Sequence, residues 1–178
     1  MGKIISNFFI SLDGVVEAPD QWHFPYFNEE MGAAVSAGLD HNKALLMGRK
    51  LYDEWAAYWP DSTDEPFATR LNTMPKYVIS SSLTDPAWSN TTVLPGEADA
   101  IRRFKESFDG DIGMSGSAVT VRWLIANGLL DELRLLVHPI AVGRGQRLFE
   151  DTPIHKFTLT DSVTFSTGVL NLTYKPAG

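Results

Sequence analysis

The chain has no cysteine. That removes disulfides, thiolate zinc sites and thiol nucleophiles together, and it suits a cytoplasmic protein. Positive charge is scarce as well. Fifteen Lys and Arg stand against 22 Asp and Glu, a net charge of −7 over 178 residues. A nucleic-acid backbone wants a basic face, so no nucleic-acid partner is expected. Long apolar runs are missing too: the stretch at residues 4–12 is interrupted by Ser6, Asn7 and Ser11, far short of the ~20 residues of a membrane span. No membrane partner is expected, and no small-residue cleavage site makes this stretch a secretory signal. His23, His41, His138 and His155 show no ligand spacing, so no metal site is expected. No Gly-x-Gly-x-x-Gly follows a strand, and no Gly-x-x-x-x-Gly-Lys-Ser/Thr loop occurs. The ordinary Rossmann fingerprint and the phosphate-loop NTPases are thereby set aside.

What is present is an ordinary globular balance, 44% hydrophobic and 21% charged, which fits one domain over residues 1–178. β-branched and apolar runs predict strands at 3–12, 44–47, 76–80, 91–94, 111–114 and 132–140. A further pair at 156–166 and 169–174 flanks Thr167-Gly168, a hairpin signal. Helical spacing predicts helices at 29–40, 50–58, 97–107 and 118–127, with a short helix or turn at 67–72. Asn28 suits the cap of the first, and Gly128 the close of the last. Strands alternating with helices, then a hairpin, imply an α/β fold. Its central sheet is mainly parallel, carries an antiparallel edge and has helices on both faces.

Three strand ends attract attention: Gly48-Arg49-Lys50, Ser80-Ser81-Ser82 and Ser115-Gly116-Ser117. Ligands of open α/β sheets collect outside the carboxyl ends of the strands. The first and third also precede helix starts, whose free amides attract phosphate, and Arg49 and Lys50 bring positive charge. Together they suggest a dinucleotide site. Glycine and serine at tight turns and caps are the plainer explanation.

A family resemblance enters through these junctions. Met47-Gly48-Arg49-Lys50-Leu51-Tyr52-Asp53 is similar to the Gly-Arg-x-Thr-x-Glu segment of the dihydrofolate-reductase-like superfamily. Ser11-Leu12-Asp13-Gly14 resembles the Ser-x-Asp-Gly that ends the first strand in its riboflavin-biosynthesis reductase branch. Met114-Ser115-Gly116-Ser117 stands where that branch has a Gly-Gly turn. Gly128-Leu129-Leu130-Asp131-Glu132-Leu133, then Pro139, Gly143, Gly145, Leu148 and Phe149, follow its later motifs in order.

The resemblance implies a three-layer fold with about eight strands, NADPH bound in an extended pose, and a homodimer. It would place Gly48, Arg49 and Lys50 at phosphates, Ser80 and Ser81 near the adenosine half, and Gly116, Ser117 and Ala118 over the pyrophosphate. Ile10 through Gly14 would border the nicotinamide. Two residues depart from the pattern: Leu51 stands for Thr, and Ser115 for the first glycine of the turn.

Such a reductase needs a proton source and a wall for its substrate, since the cofactor carries the hydride. Asp13, at a strand end, is the candidate for handling a proton or holding substrate, against the plain reading of an Asp-Gly turn. Trp22, Trp55 and Trp59, with Phe24 and Tyr26, are candidates for a stacking wall. Glu29 and Glu30 read as helix-start carboxylates, Arg144 and Arg147 as a solvated loop, and His138 as a satisfied core residue. The expected function is NADPH-dependent reduction of a small pterin- or pyrimidine-like heterocycle. The alternatives are a non-catalytic nucleotide binder of the same fold and, less well matched, a serine hydrolase using Ser115 with His138 or His155 as base.

Overall fold

β1 (Lys3–Ser11) is largely buried, with Lys3 exposed and Asn7 and Phe9 half-buried. Its β-branched and aromatic side chains alternate across the strand, so successive residues feed opposite faces of a sheet. The computed structural model, which describes residues 1–177, places this strand near the middle of eight. The others are β2 (Asn42–Gly48), β3 (Lys76–Ile79), β4 (Thr91–Leu94), β5 (Asp111–Ser115), β6 (Glu132–His138), β7 (Phe157–Thr164) and β8 (Leu170–Pro176). They run in the order β4-β3-β2-β5-β1-β6-β8-β7. All neighbours are parallel as far as β6, whereas β8 is antiparallel to both β6 and β7. This is the mainly parallel sheet with an antiparallel edge that the sequence pattern predicts.

Five helices cover the two faces: α1 (Glu29–His41), α2 (Arg49–Tyr58), α3 (Phe67–Thr73), α4 (Ala98–Ser107) and α5 (Ala118–Ala126). Ile4, Phe8 and Ile10 of β1 and Leu46 of β2 join a core cluster with residues of α4 and α5. Leu45 and Met47 of β2 face the other way, into a cluster under α2 and α3. Phe9 and Leu136 turn to α1 on that same side. Each fully buried aliphatic side chain contributes about 1.5–3 kcal/mol by leaving water, so both layers are anchored to the sheet. Asn28 caps α1 by accepting the amide of Met31 at 3.0 Å.

One buried charge stands out. Lys76 is fully buried, and its Nζ donates to the carbonyls of Leu71 (2.8 Å), Asn72 (3.2 Å) and Met74 (2.8 Å) at the end of α3. The ammonium also lies 4.5 Å from the Trp88 ring centroid. Burial pulls its pKa down to about 8. The cation therefore serves as the C-terminal cap of a short helix.

The structure refines the sequence reading at several element ends. Two 3-10 turns, Pro19–Gln21 and Phe24–Tyr26, precede α1, each with the fixed φ of a proline in its first two residues. β6 stops at His138, two residues earlier than predicted, because Ile140 turns away to accept the amide of Leu12. Among the described residues no helix is long and apolar enough to cross a membrane.

Candidate functional site

The parallel strands end together on one edge, at Ser11, Gly48, Ile79, Ser115 and His138. Two helices start there from adjacent strands, α2 after Gly48 and α5 after Ser117. They are fastened to one another: the Gly48 amide donates to Ser117 Oγ at 3.1 Å. A β-carbon on Gly48 would collide with the hydroxyl of Thr120 in α5, so glycine is what permits this approach.

Gly116 and Ser117 both adopt the left-handed conformation, with φ of +67° and +60°. Successive residues of this kind direct their amides into one concavity. Among the described residues, the amides of Ser117, Ala118, Val119 and Thr120 find no protein acceptor. Leu51 packs its methyl groups against Gly116, 3.7 Å from where a β-carbon would stand. The departure from Thr thus supports the turn by packing instead of by a hydroxyl.

Arg49 lies across the start of α2, its Nε on Asp53 (2.8 and 3.0 Å) and its Nη1 on Ser82 Oγ (3.2 Å). Among the described residues its Nη2 is free and Lys50 makes no ion pair. Ser80 uses its hydroxyl oxygen to receive the amides of Ser82 (3.2 Å) and Leu83 (3.1 Å), and Ser81 is exposed. The fixed guanidinium and the two open helix starts make an anion-receptive groove. Ile10 belongs to this edge only through its backbone, since its side chain is in the core beneath α5.

Asp13 is committed differently from the sequence expectation. Its Oδ1 accepts Ser11 Oγ (2.6 Å) and the Val142 amide (3.0 Å), and its Oδ2 accepts the Gly143 amide (2.7 Å). Arg147 adds a bond from Nε to the Asp13 carbonyl at 2.9 Å. The Ser11 hydroxyl, and then the two amides, hold the Asp13 pKa down to about 2. A carboxylate so ionised and so fully engaged is not a proton donor near neutrality. It is a clamp joining the loop after β1 to the loop after β6. Gly14, at φ +82°, completes the turn by returning its amide to the Ser11 carbonyl.

The predicted tryptophan wall is also divided. Trp22 is at the edge, buried, with its indole N–H on the Glu17 carbonyl at 3.2 Å. Trp55 and Trp59 are not. They contact each other edge-on at 5.9 Å and pack in the cluster under α2 and α3, about 9 and 15 Å along the helix from Arg49 at a rise of 1.5 Å per residue. α2 runs away from the edge, so residues close to Arg49 in sequence are carried to the opposite end of the sheet.

Two histidines share the edge with Trp22. His138 ends β6 opposite Ser11 and is fully buried. The rings of Phe9, Trp22 and Tyr26 surround it edge-on at 5.6, 5.2 and 5.7 Å. His23 lies flat on Phe9 at 4.6 Å and 8°, with Phe24 tilted on it at 4.2 Å. Burial lowers the pKa of both imidazoles, against carbonyls of Leu136 and Ile10 that favour a charged His138 ring. His23 Nδ1 and His138 Nε2 are buried without a hydrogen-bond partner. His138 is therefore not the satisfied core residue that the sequence suggests. A histidine at the carboxyl end of a strand was the available signal. Among the described residues, no hydrogen bond joins the Ser115 hydroxyl to any histidine, which removes the hydrolase arrangement.

Glu30 is a brace: its Oε2 receives the amide (2.8 Å) and hydroxyl (2.5 Å) of Ser166 in the β7–β8 turn. These bonds lower its pKa and tie the start of α1 to that turn.

Comparison with known proteins agrees with this architecture. Residues 2–171 match the family model described as RibD C-terminal domain. An uncharacterised protein of Bacillus subtilis (strain 168), YyaP, is 27% identical over 97% of this chain and 94% of its own. Among solved structures, a putative riboflavin biosynthesis protein from Shewanella sp. PV-4 is similar with TM-score 0.81 and 21% identity, covering 99% of both chains. Dihydrofolate reductase from Enterococcus faecalis, complexed with NADP(H), is similar with TM-score 0.65 and 14% identity, over 99% of this chain and 97% of that one.

Proposed function

Because the chain belongs to the RibD C-terminal domain family, we propose that it is a reductase that binds NADPH along the carboxyl edge of its sheet and reduces a small planar heterocycle. The observation that carries this reading is the pair of helix starts fastened through Gly48 and Ser117, with open amides on one and Arg49 on the other. The residues present fit the cofactor. The amides of Ser117 and Ala118 beside Gly116 would hold its pyrophosphate. Arg49 Nη2 and Lys50 would take a further phosphate, and Ser80 and Ser81 border the adenosine end. The backbone of Ile10 to Gly14 would lie against the nicotinamide, with the clamp at Asp13 fixing its course.

NADPH, when bound, supplies the hydride. The protein's contribution is to orient the reacting partners and to exclude water at the edge. Trp22 belongs to the substrate side, with the two histidines, whereas Trp55 and Trp59 serve the core.

The test is titration calorimetry of NADPH and NADH against the wild type and Arg49→Ala. Micromolar NADPH binding, weakened at least tenfold (about 1.4 kcal/mol) in the variant, is the expected result. Binding of neither nucleotide would overturn the cofactor assignment. The reading includes a homodimer: β7 is an edge strand whose Leu159 and Val163 are exposed, and light scattering should return twice the 19.7 kDa of one chain.

A further inference from the structure

The imidazole of His138 has a fixed tautomer. Its Nδ1 lies 2.8 Å from the carbonyl of Leu136, and a carbonyl only accepts, so Nδ1 carries the hydrogen. In the neutral ring, Nε2 is then a bare lone pair. It is buried and has no donor from the protein, the indole N–H of neighbouring Trp22 being given to the Glu17 carbonyl. An acceptor left so has lost its hydration with no bond in return, and in native proteins such an atom calls for an explanation, a missing partner being one. A second orphan, His23 Nδ1, lies in the same box, the two imidazoles 6.2 Å apart.

The walls of the box are flat. His23 lies on Phe9 nearly parallel, in the manner of a stacked heterocycle. Its segment, residues 18–27, makes hydrogen bonds only within residues 17–27 among the described residues. The His23 ring can therefore yield its place on Phe9 without breaking any bond to the sheet. A ligand that takes this place meets the His138 lone pair at its edge.

We propose that His138 Nε2 is the specificity contact of this site, accepting a hydrogen bond from a ring N–H of a planar heterocycle stacked on Phe9. The inference rests on the reductase reading for the site as a whole but concerns the substrate half alone. It predicts that the preferred ligands carry a ring amide or amidine N–H, and that a methyl group on that nitrogen abolishes recognition. Such a loss is large where a site has a buried polar group built for its partner.

Lumazine and 1,3-dimethyllumazine test it, being flat, fused heterocycles that differ only in their ring N–H groups. Calorimetric titration of the wild type should show lumazine binding at least tenfold tighter than the dimethyl compound. His138→Phe should bind the two alike, and His138→Gln, which restores an acceptor, should recover part of the preference. In the wild type, where no substituted core is at issue, the 15N resonance of His138 Nε2 should move on adding lumazine and stay still with the dimethyl compound. Equal affinities, no lumazine binding, or an unmoved resonance would each overturn the proposal. NADPH titrated separately keeps the two readings apart. NADPH binding without the N–H preference sinks only the His138 contact, and the preference without NADPH binding sinks only the cofactor assignment.

Discussion

The amide of Gly48 and the hydroxyl of Ser117, 3.1 Å apart, join two helix starts that belong to different strands and opposite faces of the sheet. The groove between those starts exists only while both strand ends are held in this register. Gly48→Ala should therefore drive the added methyl into Thr120 and cost about 1–3 kcal/mol, as overpacking does, together with NADPH affinity. Chemical denaturation and calorimetry on the one variant read both effects.

At Ser117 the side chain and the backbone pull in different directions. The hydroxyl holds Gly48, but φ is +60°, a conformation costing about 1–2 kcal/mol for a residue with a β-carbon. Ser117→Ala loses the bond and keeps the strain. Ser117→Gly loses the bond and relieves it. The glycine variant should be the more stable of the two by about 1 kcal/mol in urea titrations.

Asp13 gives a prediction with a defined pH window. Its pKa is depressed to about 2 from an ordinary 3.8. The stability it contributes is thus complete above about pH 4 and lost as pH falls through about 2. Asp13→Asn should melt below the wild type at neutral pH, and the two melting curves should converge across that window. A gap that persists unchanged at pH 2 would contradict the clamp.

Lys76 gives a slope of the same sign at the other end of the scale. Its folded pKa of about 8 lies below the ordinary 10.5, so the folded chain releases its proton before the unfolded one does. Stability should rise with pH between about 8 and 10.5, relative to a Lys76→Met control. At neutral pH the control leaves the carbonyls of Leu71, Asn72 and Met74 without their donor, for an expected loss of about 1–3 kcal/mol.

Trp55 separates core from site. Trp55→Ala should lower stability by opening the cluster under α2 and α3, yet leave the NADPH dissociation constant within about twofold, a difference below roughly 0.4 kcal/mol. A large loss of affinity in a well-folded variant would return this tryptophan to the ligand groove.

These cases show what the sequence made legible. Periodicity and turn residues locate nearly every element, because apolar alternation and caps act over a few neighbours: Asn28 capping α1 and Gly116 turning into α5 need no distant information. The groove at Gly48 and Ser117 follows, since its residues adjoin strand ends. The ring cluster around His138 does not. Phe9 meets His138 only because β1 pairs with β6, a contact that no local pattern encodes. Trp55 and Trp59 pack in the cluster under α2 and α3, because the helix that leads to them runs away from the edge. Asp13 has the right address and a different task, which depends on two amides of the loop at Val142 and Gly143.

The position of β1 bears on how the chain reaches this state. Its two partners begin at Asp111 and Glu132, over a hundred residues downstream. On the ribosome, the first strand made must wait for most of the protein before it can pair. Closing loops of that length precedes any reward from the contacts they bring, so refolding should be slow and dominated by one late event. The groove at Gly48 and Ser117 and the ring cluster around His138 both border that strand or its partners, so ligand binding should appear only with this last step.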